Sequence, residues 1–254
     1  MSPLAVSGIV FAIVFAGALL GLWVRGRLPE HHLTGESKEA VKLAMGIIGT
    51  MTALVLSLLI ASAKSSFDAQ RNGVAQLAAN VQVLDRTLAL YGKEAQPPRA
   101  LLRASLADLI HRTWPDEVQG EQAKASIGTG ERYEGVYVSL LELEPKTDAQ
   151  RALQAQALRA AADIGQLRSN LSAQQQTSSI PMPFLVVMVF WLALILASFG
   201  LFAPANPTAL AALAVCTLAV SSAVFLILEL DRAFGGMIQI SGEPLRSTLE
   251  QLGR

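Results

Sequence analysis

A row of small and hydroxyl-bearing residues runs along one side of the apolar segment 43–63. Its members recur at every third or fourth position: Gly46, Thr50, Ala53, Ser57, Ala61, Lys64 and Asp68. This spacing places them on one face of a helix, and lipid does not require such a face. Small residues allow two helix backbones to approach closely. They also keep a water-filled path for small inorganic ions open and wettable. The spacing alone leaves both interpretations open.

Two groups of charged residues lie at the ends of apolar segments. Lys64 and Asp68 are an i,i+4 pair, which is either an ionic cluster at the mouth of a path or a solvated ion pair at the membrane surface. Glu229, Asp231 and Arg232 end the last apolar segment. Ionisable groups at membrane depth are candidates for function. At the boundary we expect Glu229 and Asp231 to be half solvated, and their pairing with Arg232 or Lys64 would anchor the last two spans.

The loop after the first apolar segment carries His31 and His32, with Glu36 close behind. Imidazole and carboxylate groups are suitable zinc ligands, but adjacent histidines in an extended loop point apart. A pH-sensing or interface role is the better hypothesis, and a plain polar loop is the simplest. The sequence shows no nucleophile–base arrangement, phosphate-binding loop or paired catalytic carboxylates. We therefore predict no catalytic residues, no metal and no cofactor.

The composition requires a membrane protein. Of the 254 residues 52% are hydrophobic and only 16% are charged, against about 25% charged in soluble domains. The charge is missing from four segments of about twenty residues, the length that crosses a bilayer as a helix: 4–24, 43–63, 184–202 and 208–228. This pattern excludes a soluble enzyme and a disordered chain. The net charge of zero gives no reason to expect nucleic acid as a partner.

The four spans order the chain into an all-α membrane protein with a cytosolic helical bundle inserted between the second and third spans. The first span lacks a basic leader and is read as retained rather than cleaved. It carries the spacing Gly8, Ala12, Gly17 and Gly21, typical of helix packing. An even number of spans puts both termini and the bundle on one side, which we expect to be the cytoplasm. The predicted segments are a first helix pair 1–63, a cytosolic domain 64–180, a second hairpin 181–230 and a tail 231–254.

The second span is predicted to continue as an amphipathic stalk to Tyr91. No proline interrupts it, and apolar residues follow a heptad spacing: Phe67, Val74, Leu77, Val81, Leu84, Leu88 and Tyr91. Gly92 and the pair Pro97-Pro98 are predicted to end it. Further helices are expected near 99–113 and 133–143 and from Thr147 onward, with a loop at 116–130. A small amphipathic piece with Leu245, Leu249 and Leu252 is expected near the C-terminus.

Long blocks of the chain resemble the bacterial bestrophin-like membrane proteins, which have been classed as a domain of unknown function. The blocks are LPEHHLTGESKEAVKLAMGIIGTMTALVLSLLIASAKSSFD (28–68), LDRTLALYG (84–92), PFLVVMVFWLALILASFGLFAPANP (183–207) and LILELDRAFGGMIQISGEPLR (226–246). Bestrophins are pentameric anion channels with four spans per subunit and cytoplasmic termini. The resemblance implies that the 43–68 helix faces a central axis. The sequence departs from bestrophins proper because Phe67 is the sole aromatic residue of that helix.

The leading hypothesis is therefore an oligomeric ion channel of the bacterial inner membrane, with the second span lining the pore. The resemblance implies a pentamer that conducts anions. A rival hypothesis is a membrane-anchored helical scaffold or sensor, in which the stalk (74–91) and the long helix 147–171 form a cytosolic bundle that recruits a partner. A weaker third option is a metal-dependent membrane protein that uses His31, His32 and Glu36.

Overall fold

The computed structural model of this chain describes residues 2–27, 35–114, 131–176, 182–204 and 206–252. All regular structure in those ranges is helical, so the predicted all-α class is confirmed. The α-helices there are α1 Pro3–Arg25, α2 Gly35–Tyr91, α3 Gln96–Thr113, α4 Glu131–Leu141, α5 Asp148–Gln176, α6 Met182–Phe202, α7 Pro207–Leu230 and α8 Glu243–Gln251. The loop predicted at 116–130 lies outside the described residues. So do His31, His32 and the side chain of Glu36.

Four of these helices are long and apolar enough to cross a membrane: α1, α2, α6 and α7. The four predicted spans are thereby confirmed. Pro3 and Pro207 lie in the first turns of α1 and α7, where a missing backbone N–H costs nothing. Asn206 caps α7 by accepting a hydrogen bond from the backbone N–H of Ala209 at 2.8 Å.

The predicted continuity of the second span with its stalk is confirmed, because α2 is one helix of 57 residues. At 1.5 Å per residue it is about 85 Å long. It ends before Gly92, whose φ of +121° is in the region that favours glycine. The expectation that Pro97 and Pro98 help to end the stalk is wrong. They lie in the first turn of α3, because proline already has the φ angle that a helix start requires.

By contacts the chain divides into two compact units. The first, which we call the membrane unit, comprises Met1–Ser66 and Ser179–Asp231. The second, which we call the stalk unit, comprises Phe67–Ser178 and Arg232–Arg254. The C-terminal segment therefore packs within the stalk unit, where α8 contacts α3.

The stalk unit is built on the heptad face of α2. Every predicted heptad residue from Phe67 to Tyr91 is at most 8% exposed, and α3, α4 and α5 supply the opposing apolar side chains. A bidentate ion pair holds α3 against α2, with Arg99 Nε and Nη2 donating to the Asp85 carboxylate at 2.8 and 2.9 Å. This pair raises the pKa of Arg99. Thr147 Oγ1 caps α5 by accepting from the Gln150 N–H at 3.1 Å.

Candidate ion pathway

The membrane segment of α2 has three distinct faces. The first packs against the chain's own core through Thr52, Leu59 and Ala63, which are 3, 5 and 0% exposed. The small residues singled out in the sequence, Gly46 to Asp68 as given above, form a second face that we call the α2 row. It lies about 140° around the helix from the first. The third face is bulky, apolar and at least half exposed: Leu43, Ile47, Met51, Leu54 and Leu58.

The α2 row faces away from the other described helices of its own chain. From Gly46 to Lys64 its members are exposed, and Asp68 is half-buried. A Cβ atom added to Gly46 would have no neighbour within 4 Å. Close packing within a single chain therefore does not account for this row in the part that the structure describes. The surfaces left to meet it are another copy of the chain, lipid, or water.

Two threonine hydroxyl groups in the membrane segment of α2 are used within the helix. Thr50 Oγ1 donates to the carbonyl oxygen of Ile47 at 2.8 Å, and Thr52 Oγ1 donates to that of Ile48 at 2.7 Å. The Thr50 hydroxyl donates its proton to the backbone, so only its oxygen, an acceptor, is available on the row. Lys64 is the cationic side chain of the row.

The C-terminal half of the α2 span packs against the other helices of the membrane unit. Leu59 and Ala63 join one apolar core with Val14 of α1, Met188 of α6 and Ile227 of α7. In the most apolar window of α2 only 11% of the residues are buried, against 28 to 33% in the other three spans. Most of the α2 span is therefore available to surfaces outside its own chain.

The framework behind α2 is the tight contact of α1 with α6. A Cβ added to Gly17 would lie 2.9 Å from the carbonyl oxygen of Ala193. One added to Gly21 would overlap the backbone of α6 at Ala197 and Leu201. The packing predicted from the spacing of Gly17 and Gly21 is confirmed, whereas Gly8 has nothing within 4 Å. Gly200 makes the reciprocal contact with the backbone of α1.

Hydrogen bonds connect both ends of α1 to the neighbouring spans. The Ser221 hydroxyl of α7 donates to the carbonyl oxygen of Ser7 at 2.6 Å, and both side chains are buried. Such interhelical hydrogen bonds stabilise helix pairs in lipid. At the other end of α1, the Arg25 guanidinium donates to the carbonyl oxygen of Ala203 after α6. This satisfies one of the carbonyls that a helix C-terminus leaves open.

The charged residues at the end of α7 differ from one another in exposure. Glu229 is 2% exposed, Asp231 is half-buried and Arg232 is exposed. The expectation that Glu229 and Asp231 are half solvated is therefore wrong for Glu229, because the last turn of α7 is still inside the fold. Their pairing with Lys64 or with one another stays a prediction.

The apolar face of the stalk is used inside the chain. Val74, Leu77, Leu84 and Leu88 are at most 1% exposed, so the heptad residues pack against the chain's own helices. The scaffold hypothesis also expects the stalk and the long helix to form a bundle, so this packing does not decide between the two hypotheses. Recruitment of a partner by the bundle stays a prediction.

A buried cation in the stalk unit was not evident from the sequence. Arg168 of α5 is 9% exposed, and its guanidinium carbon lies 5.0 Å from the centroid of the Tyr133 ring, a cation–π geometry. Burial lowers the pKa of Arg168 and raises that of Tyr133, whose hydroxyl donates to the Ala161 carbonyl. Both side chains line a cavity of about 10 Å³, which has room for one water molecule at most.

The comparisons with known proteins agree with this architecture. A model of the Bestrophin-like domain matches residues 12–245, and the chain belongs to the Bestrophin-like family. Two structures of a bacterial bestrophin homologue from Klebsiella pneumoniae, each carrying a different point mutation, share its fold. The first has a TM-score of 0.65 and 14% sequence identity, and the match covers 96% of this chain and 96% of that structure. The second has a TM-score of 0.69 and 16% sequence identity, and the match covers 99% of this chain and 96% of that structure. No curated protein sequence matches the chain significantly.

Proposed function

We propose that this protein is an oligomeric ion channel of the bacterial inner membrane, with the α2 row lining its pore. The observation that supports the proposal most directly is the direction of that row. Small side chains cover one face of a membrane-spanning helix, and this face is turned away from the chain's own core. Membership of the Bestrophin-like family and the likeness to bacterial bestrophin homologue structures support the same function.

The three faces of α2 favour a ring of copies. One helix cannot enclose a pore, so several copies of α2 must surround the path. The face of α2 that packs against the chain's own core lies about 140° around the helix from the row. If the row points to a central axis, this face points outward, and the other three spans lie outside the ring. The bulky face then meets neighbouring subunits or lipid at the side. We infer a homo-oligomer, and the family resemblance favours a pentamer.

The charge on the row favours anions. Lys64 follows the last small residue of the row and its side chain is exposed. In a ring, one ammonium group from each subunit would surround the mouth of the pore and raise the local concentration of anions. Asp68 lies one turn further along α2 and is half-buried, so its carboxylate is less accessible from the path than the Lys64 ammonium.

The topology follows from the even number of spans. Both termini and the stalk unit lie on the same side of the membrane, and we assign that side to the cytoplasm. The stalk unit is then a cytosolic part of the protein. Cysteines placed at Lys93 and Gln239, both exposed, should react with a membrane-impermeant reagent only after the inner membrane is opened. Labelling in intact spheroplasts would contradict this topology.

Planar-bilayer recording of the purified chain tests the function. We expect chloride current under a salt gradient, with a reversal potential that reports anion preference. Lys64→Gln should weaken that preference and Lys64→Glu should shift the reversal potential toward the cation. Lys93→Gln, two residues after the end of α2, is the matched control and should leave selectivity unchanged. Absence of conductance from folded, bilayer-inserted protein would refute the proposal.

A further inference from the structure

The C-terminal end of α1 carries an arginine stacked on a tryptophan. The guanidinium carbon of Arg27 lies 3.5 Å from the centroid of the Trp23 ring, which is a close cation–π contact. Trp23 is 58% exposed, and Arg27 is exposed as well. Neither residue belongs to the α2 row, so the pore proposed above makes no use of this pair.

The backbone at the end of α1 keeps the two side chains together. α1 ends at Arg25, and the backbone N–H of Arg27 donates to the carbonyl oxygen of Val24 at 3.0 Å. This tight turn holds Arg27 four residues after Trp23, the spacing that brings two side chains onto one face of a helix. Arg25 points to a different neighbour, because its guanidinium donates to the carbonyl oxygen of Ala203 after α6. The end of α1 is thereby fixed to α6, while the stacked pair lies on the outer surface.

Stacking on Trp23 uses the flat face of the Arg27 guanidinium and none of its hydrogen-bond donors. The N–H groups lie around the edge of the guanidinium plane, in a fork that matches two oxygens of a phosphate group. A guanidinium that already lies on a ring has also lost part of its side-chain freedom, so binding an anion costs less conformational entropy. The pair therefore presents a partly ordered phosphate-binding group.

The sequence gives the depth of this pair in the bilayer. Trp23 is the second-last residue of the uncharged segment 4–24, so it lies within about 2 Å of the end of that segment along the helix. Tryptophan is enriched at this depth, where its ring lies at the level of the headgroups. Arg27 follows after about one turn, within a headgroup layer that is roughly 5 to 8 Å thick on each side of the bilayer.

The neighbouring spans α6 and α7 supply no carboxylate to neutralise this cation. Neither they nor the turn between them contains an acidic residue before Glu229, which is at the opposite end of α7, and α1 contains none. Arg25 adds a second positive charge at the same end of α1. This surface of the membrane unit therefore attracts anions, and the anion present at its depth is the headgroup of an acidic lipid.

We propose that Arg27 and Trp23 bind the headgroup of an anionic phospholipid in the leaflet where α1 ends. The Arg27 guanidinium pairs with the lipid phosphate, and the exposed part of the Trp23 ring packs against the glycerol and the first acyl carbons. Anionic lipids are preferred because a zwitterionic headgroup brings its own cation to the phosphate. The proposal requires only that α1 spans the membrane, and it does not depend on ion conduction.

Quenching of tryptophan fluorescence by brominated lipids tests this site. The chain has three tryptophans, and Trp114→Phe together with Trp191→Phe leaves Trp23 as the fluorophore. In liposomes, brominated phosphatidylglycerol should reach a given quenching at about one fifth of the mole fraction that brominated phosphatidylcholine needs. This preference of about fivefold is what one basic group near an anionic membrane surface provides. Arg27→Gln should reduce the preference to about onefold.

The matched control moves the fluorophore to α6 at nearly the same depth. Phe199 is 54% exposed, and the next residue, Gly200, packs against the backbone of α1 at Ala18 and Leu22. Position 199 is therefore level with the last turns of α1. Phe199→Trp, in a chain that also carries Trp23→Phe and the other two substitutions, should be quenched by both lipids with a preference below about twofold.

Several results would overturn the proposal. A preference below about twofold at Trp23, one that Arg27→Gln leaves unchanged, or an equal preference at position 199 would show that Arg27 does not select the lipid. A Trp23 that neither lipid quenches would place the pair against another subunit. Excess inorganic phosphate at constant ionic strength should leave the preference unchanged, and its loss would show that the site takes free phosphate and not a lipid.

Discussion

The contact between α1 and α6 gives the sharpest stability prediction. In Gly21→Ala the new Cβ overlaps backbone atoms of α6, the carbonyl carbon of Ala197 at 2.8 Å and the amide nitrogen of Leu201 at 2.9 Å. Backbone atoms cannot rotate away, so the two helices must separate by about an ångström. Overpacking of this kind typically costs about 1 to 3 kcal/mol, and we expect the upper end here because every close atom belongs to the backbone.

The matched control is Gly8→Ala on the same helix. Gly8 has nothing within 4 Å of an added Cβ, so this change adds no overlap and gains up to about 1 kcal/mol of helix propensity. A loss of about 3 kcal/mol lowers Tm by roughly 6 to 12 °C for a chain of this size. Thermal unfolding of both purified variants in the same detergent measures the difference. Equal Tm values would show that α1 and α6 are not in the close contact described.

Three further predictions concern the stalk unit. Leu84→Ala removes a side chain that is 0% exposed and should cost about 2 to 5 kcal/mol in unfolding measurements, whereas Leu90→Ala, at a 69% exposed position, should cost about 0.5 kcal/mol or less. Trp114→Phe leaves the Ile240 carbonyl without its donor and should speed backbone hydrogen exchange at 240 by about tenfold. Burial raises the pKa of Tyr133 above its ordinary value of 10.0. Above pH 10 the phenol therefore ionises in the unfolded chain before it does in the folded chain. The free energy of unfolding is unaffected by this group below pH 10 and falls as the pH rises above it. Tyr133→Phe should therefore lose less Tm than the parent chain between pH 9 and 11, and an equal loss would contradict the burial of that hydroxyl.

The sequence was informative where local rules decide the structure. The four spans follow from uncharged segments of sufficient length, and the unbroken α2 follows from the absence of proline together with the heptad from Phe67 to Tyr91. The role of Pro97 and Pro98 was misjudged because a proline pair both prevents a helix from continuing and starts the next one. The turn at Gly92 is short enough that both events fall within a few residues.

Which face of α2 meets its own chain could not be predicted. Thr50 and Ala61 on the row are of the same residue types as Thr52 and Ala63 on the buried face, so spacing alone does not distinguish them. The attachment of the C-terminal segment to Trp114 joins residues 126 positions apart. The burial of Arg168 likewise depends on Tyr133 from another helix. Such contacts depend on tertiary packing, which no local pattern encodes.

The most direct test of the central claim is modification of open channels at single cysteines on two faces of α2. In the Cys216→Ser background, Thr50→Cys and Ser57→Cys are on the row, and Leu54→Cys is on the bulky face. All three positions are exposed in the single chain, so any difference arises from the assembly. A charged, water-soluble thiol reagent should abolish current through the first two variants at least 100-fold faster than through Leu54→Cys. Current that persists with unreactive cysteines at 50 and 57, while the cysteine at 54 reacts, would contradict a pore lined by the α2 row.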